Sequence, residues 1–115
     1  MDGRGGTNAT NHLLEGLPAA ENQRLMRALT PLFLDVKTVL FEPGRTIDSV
    51  YFPLNGVVSL VTPLEDGATV EVATVGNEGI VGVPLELMGT LAVRAIAQVA
   101  GWVMRMELSS TRLRE

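Results

Sequence analysis

The sequence predicts a mainly β domain, an antiparallel sandwich or barrel with short helices attached. Three observations lead there. From Leu32 onward, short apolar and often β-branched runs alternate with turn residues, the pattern of strands rather than of helices. Glycines at 44, 56, 67 and 79 punctuate those runs at about the 8 to 12 residue spacing of an antiparallel fold. No stretch alternates strand and helix as a parallel βαβ sheet requires. With 115 residues and 46% hydrophobic content, the chain can bury one core and has no room for a second.

Taken in order, residues 1–10 are glycine-rich and read as a flexible arm, followed by one domain from Asn11 to Glu115. The arm lacks the apolar centre of a secretory signal, and no apolar run is long enough to span a bilayer. The cytoplasm is therefore the expected location, with no membrane partner. A periodic stretch begins near Asn11, and Pro18 then opens a helix running through Ala19 to Leu29. Leu25, Met26 and Leu29 form its apolar stripe, and Thr30-Pro31 stops it, because the residue before a proline disfavours helical backbone.

The strand runs are Leu32 to Val36, Thr38 to Phe41, Ser49 to Leu54, Val57 to Thr62, Thr69 to Val75, Leu91 to Gln98 and Trp102 to Glu107. Asn55-Gly56 is the strongest hairpin signal, since both residues tolerate the positive φ of a type I′ turn. Gly82 to Gly89 reads as a short helical turn between strands. Leu108 to Glu115 could begin another helix, capped by Ser109 or Ser110. The chain ends without a stop signal for that helix, so a fragment of a longer protein is expected.

Several chemistries are excluded by residue type. There are 13 acidic and 9 basic residues, a net charge of -4, and no Lys/Arg block to follow a phosphate backbone. The absence of cysteine removes disulfides, thiolate nucleophiles and Cys-type metal centres. The single histidine, His12, lies upstream of the helix and outside the β region, too isolated for a catalytic triad or a metal centre. Asp48, Glu65, Asp66, Glu71 and Glu78 are scattered over turns and strand ends, where solvated roles are expected. No catalytic residue, metal or cofactor is expected, and the protein is not expected to be an enzyme.

Phe33, Phe41, Tyr51 and Trp102 are not interleaved with basic residues, so they are expected in the core or an interface rather than as base-stacking platforms. Arg94 is the only basic residue between Arg45 and Arg105. In a strand, alternation puts Ala92, Arg94, Ile96 and Gln98 on one face and Leu91, Val93, Ala95 and Ala97 on the other. Alternation alone leaves open which face is inside.

Two blocks, FEPGRTIDSVYFPLNGVVSL from Phe41 to Leu60 and VGNEGIVGVPLELMGTLAVRAIAQVAG from Val75 to Gly101, carry a resemblance. The ordered set resembles the N-terminal effector domain of Crp/Fnr-type transcription regulators, over about Asn11 to Glu115. The resemblance implies a cyclic-nucleotide-binding-like β-roll, a jelly roll of cupin type with short flanking helices. It places the family's phosphate-binding cassette in the second block. Gly82 matches the cassette glycine and Arg94 its arginine, the glutamate position is Val83, and the small hydroxyl residue after the arginine is replaced by Ala95.

The implied ligand-binding set is therefore Gly82, Val83, Leu85, Glu86, Arg94 and Ala95, taking an unknown small anionic effector or none. Glu86 lies one helical turn beyond the missing acid, but Pro84 alters the local geometry. With two polar partners replaced, strong cyclic AMP binding is not expected. The family further implies a homodimer in the full-length protein and DNA contact only through a C-terminal domain that lies outside these residues. Two alternatives compete. A cyclic-nucleotide module of a channel or kinase should carry the cassette glutamate, against Val83, and a cupin-like enzyme should carry several histidines, against His12 alone.

Overall fold

In the computed structural model, which describes residues 10–44, 48–82 and 93–108, the strands form two antiparallel sheets facing each other. One has the order β1 (Thr30–Leu34), β7 (Gly101–Glu107), β3 (Ser49–Pro53), and the other β2 (Val39–Phe41), β6 (Arg94–Val99), β4 (Val57–Pro63), β5 (Thr69–Val75). The mainly β, antiparallel expectation therefore holds. β5 lies where the residue pattern puts it, and β3, β4 and β7 differ by one residue at one end. β6 begins at Arg94, and Leu91 and Ala92 lie outside the described residues.

Two apolar layers hold the sheets. Between them lie Leu34, Tyr51 and Val103 from the three-stranded sheet, Val58, Ala95 and Ala97 from the four-stranded one, and Val81. On the far side of the three-stranded sheet, Val50, Phe52, Leu54 and Met104 pack with Leu14 and Leu29. β3 is consequently buried on both faces along its whole length, whereas β5 is an edge strand exposed from Thr69 to Thr74. Each fully buried valine, such as Val58 or Val103, contributes about 1.5–3 kcal/mol of burial free energy.

The N-terminal region departs from the expected single helix. α1 (His12–Glu15) and α2 (Ala19–Met26) are separate, and α2 ends three residues before Leu29. Pro18 caps α2 at φ -55 without a side-chain bond. Thr30-Pro31 is not the stop of the helix, which has already ended at Met26, and it opens β1 instead. The missing N–H of Pro31 is tolerated since β1 is an edge strand paired only with β7. His12 lies upstream of the Pro18 helix as expected but is itself the first residue of the unforeseen α1, and its backbone N–H donates to the Asn77 carbonyl at 2.7 Å.

The Asn55-Gly56 hairpin is overturned. β3 and β4 belong to different sheets, and neither Asn55 nor Gly56 has positive φ. The physical reason is a double crossing: the chain leaves the three-stranded sheet at Asn55-Gly56 and returns to it at Ala100-Gly101, and the two passages touch. A Cβ on Gly101 would sit 2.5 Å from the Gly56 nitrogen, so only glycine fits. The Asn55 side-chain oxygen accepts from the Trp102 N–H at 2.6 Å, which leaves it no role in a hairpin. The real hairpin joins β4 to β5 through Asp66-Gly67, with Gly67 at φ +89 and Asp66 accepting from the Ala68 N–H.

The aromatic residues pack as expected of core and interface side chains. Phe33 and Trp102 meet edge to face with centroids 5.5 Å apart, and Tyr51 is buried in the inter-sheet layer. The expected helical turn from Gly82 to Gly89 and the helix start after Leu108 fall largely outside the described residues.

Candidate functional site

The approach to the cassette is fixed by a short antiparallel bridge. Tyr51 donates its backbone N–H to the Val81 carbonyl at 2.8 Å, and Val81 returns a bond of 2.9 Å. This places Val81 in the core and Gly82 directly against β3. Gly82 has φ +112, and a Cβ there would lie 2.6 Å from the Ser49 carbonyl oxygen. A glycine at this position is thus required by the backbone of β3.

Arg94 and Ala95 occupy opposite faces of β6. Val93, Ala95 and Ala97 are buried, with Ala95 and Ala97 in the inter-sheet layer, so Arg94 leaves the sheet outward. Its Nε donates to Glu42 Oε1 at 2.6 Å, with both side chains partly exposed. Alternation left the face of Arg94 open, and the burial of Ala95 and Ala97 puts Arg94 on the outer one. It holds a surface ion pair with a residue of the β2 end, a kind of contact worth about 0–1 kcal/mol. Val83, Leu85 and Glu86 lie outside the described residues.

Four further residues lie in this region that the sequence pattern did not single out as site residues. Glu42 was hidden because nothing local announces that β2 pairs with β6. Ser49 is 1% exposed, and among the described residues its hydroxyl has no hydrogen-bond partner. It lies two residues before Tyr51 on the same strand face and so looks toward the space between the sheets. Arg105 stands opposite Tyr51 in the β3–β7 register, and Glu107 stands opposite Ser49. Since Val103 is fully buried in the inter-sheet layer, Arg105 projects from that same inner face. Its ion pair with Glu107 is stretched to 4.0 Å.

Among the described residues, no group of three or more His, Cys, Asp or Glu converges as a metal centre would require. A cleft of about 360 Å³ lies on α2 between Leu17, Glu21, Arg24, Leu25 and Ala28 and shares no residue with this region. No helix among the described residues is long and apolar enough to cross a membrane.

The comparisons with known proteins bear on this geometry. A search of the curated proteins found no match. Among solved structures, a cyclic nucleotide-binding-like protein from Brucella abortus bv. 1 str. 9-941 is 27% identical at a TM-score of 0.66, covering 90% of each chain. The N-terminal domain of a transcriptional regulator from Streptomyces coelicolor A3(2) is 23% identical at 0.67, over 84% of this chain and 70% of that one. A regulatory subunit of a cAMP-independent protein kinase A from Trypanosoma brucei is 24% identical at 0.69, over 88% of this chain and 37% of that one. The chain spans about a third of the length of such kinase subunits. The model of the cyclic nucleotide-binding domain matches residues 32–112, and the chain belongs to that family.

Proposed function

We propose that this chain is the effector-sensing domain of a Crp/Fnr-type transcription regulator whose cassette no longer suits cyclic AMP. The observation that carries the reading is the outward face of Arg94 and its bond to Glu42. An arginine so placed does not neutralise a phosphate held between the sheets. Val83, in the position of the family's acid, offers no acceptor to a ribose hydroxyl, and burying that hydroxyl unpaired costs about 1–3 kcal/mol. Support for a regulator rather than a kinase module comes from the Streptomyces domain, which this chain matches over 70% of its length.

On this reading the domain is regulatory and cytoplasmic, does no chemistry on its effector, and takes a small anion. DNA is contacted by a separate part of the protein, because the acidic balance of these residues provides no electrostatic footprint for a phosphate backbone. Titration calorimetry with cyclic AMP and cyclic GMP tests the proposal. No binding is expected at micromolar concentrations of either nucleotide, and a micromolar Kd for one of them overturns the reading of the cassette.

A further inference from the structure

The inner face of the three-stranded sheet carries an arginine, and it is not Arg94. Arg105 projects from the inner face of β7, between Thr30 of β1 and Tyr51 of β3 in register. Among the described residues its ionic neighbour is Glu107, at 4.0 Å, whose own side chain is largely exposed. That separation is too long for a hydrogen bond, so the guanidinium keeps most of its donors for another acceptor. Diagonal to it on the neighbouring strand stands Ser49, almost completely buried and with an unpaired hydroxyl. Diagonal neighbours across an antiparallel pair are about 7–8 Å apart, within reach of a long side chain.

A buried hydroxyl without a partner is uncommon in folded proteins and calls for a physical reason. Here it lies beside the point where Gly82 packs on the Ser49 carbonyl and the chain departs toward the cassette. A hydroxyl that can donate and a guanidinium with free N–H groups together match a planar or tetrahedral oxyanion. Arg94 stands on the outer face of β6, away from Ser49, with its Nε bound to Glu42.

From this we infer that Ser49 and Arg105 form the anion-recognising contact of the domain, for a phosphate or carboxylate group on a small effector. The inference rests on the effector-binding reading above and assigns its charge contact to β3 and β7 rather than to β6. Glu107, next along the same face, limits the charge the contact takes, so one oxyanion group is bound and not a polyanion.

The experiment replaces chloride by phosphate, and in a second arm by acetate, at constant ionic strength, and follows the thermal unfolding midpoint of the 115-residue chain. Binding to the folded state alone raises the midpoint. A rise of about 2 °C or more is expected for the parent and for Arg94→Gln, and none for Arg105→Gln or Ser49→Ala. The two arms tell a phosphate contact from a carboxylate one. NMR of the parent protein adds a readout independent of stability: the Arg105 side-chain Nε–H signal should move with added phosphate or acetate while that of Arg94 stays. A rise that survives in Arg105→Gln and vanishes in Arg94→Gln overturns this assignment and leaves the effector reading standing. The absence of any rise or signal movement in the parent with both anions overturns the assignment as well. Tight cyclic AMP binding that leaves the Arg105 signal unmoved fails both readings.

Discussion

Asn11 and Ser49 are each 1% exposed, yet they stand in opposite conditions. The Asn11 side chain uses its whole hydrogen-bonding capacity. Its amide donates to the Pro53 and Gly79 carbonyls, both at 2.9 Å, and its oxygen caps α1 by accepting from the Leu13 and Leu14 N–H groups. One residue thereby joins the helix, the end of β3 and the turn before Val81. The Ser49 hydroxyl, at the other end of β3, has no partner among the described residues. Burial of a polar group is stabilising in the first case and costly in the second. The difference separates a residue that holds the fold from one whose position the fold alone does not explain.

The strongest way to break this comparison is Asn11→Ala. The helix loses its cap, worth about 0.5–2 kcal/mol, and two carbonyls lose a donor at about 1–3 kcal/mol for each one that stays buried. A loss on the order of 3 kcal/mol is expected from urea unfolding, with an unchanged m-value. Asn11→Asp should do nearly as badly, because it keeps the cap but points a carboxylate oxygen at two carbonyls. A loss below about 1 kcal/mol for Asn11→Ala would mean that the residue is an ordinary helix cap and no clamp.

The opposite sign is expected at Ser49. Ser49→Ala removes a buried hydroxyl that gains nothing from its surroundings, and the strand geometry can stay as it is. Without an added anion, the variant should be as stable as the parent or more stable by about 1 kcal/mol. Set beside the loss at Asn11, this would show that equal burial of two polar side chains has opposite consequences. A destabilisation of about 1 kcal/mol or more would mean that the hydroxyl has a partner in solution, and the two residues would then be alike.

Much of the β scaffold was legible because strand identity is a local property. The runs Ser49 to Leu54, Val57 to Thr62 and Thr69 to Val75 carry β-branched residues between turn signals, and each became a strand. Pairing was less legible. Asn55-Gly56 has the residues of a hairpin, but the contact that decides its role is with Gly101 and Trp102, more than forty positions away. The same distance hid the partner of Arg94: alternation defined its two possible faces, and only the long-range pairing of β6 between β2 and β4 determined which was outside. Asn11 had a visible signal, an amide directly before a helix. Its bonds to Pro53 and Gly79 had none. At Gly82 the residue type was informative while its cause was not, since the glycine answers to the backbone of β3.

The smallest expected effect sharpens the description of the clamp from the side of its turn. Asn77 accepts from the His12 N–H, Gly79 accepts from Asn11, and Glu78 between them accepts from the Gly76 N–H at 3.2 Å. The Glu78 carboxyl is held below its ordinary range, first by its own backbone N–H, then by that of Gly76, with a further attraction from His12. A carboxyl depressed in the folded state adds stability above its unfolded pKa of about 4.3 and loses that contribution as pH falls through the folded value. Glu78→Gln keeps an acceptor of the same shape without the charge. The variant should therefore melt slightly below the parent near neutral pH, and the gap should close as the pH is lowered through the carboxylate range. Full exposure of the side chain to solvent keeps the difference small. The test is the unfolding midpoint against pH for both proteins. A gap that stays constant into acid would show that the side chain acts through shape rather than charge, whereas a closing gap would make Glu78 an electrostatic support for the turn that Asn11 holds.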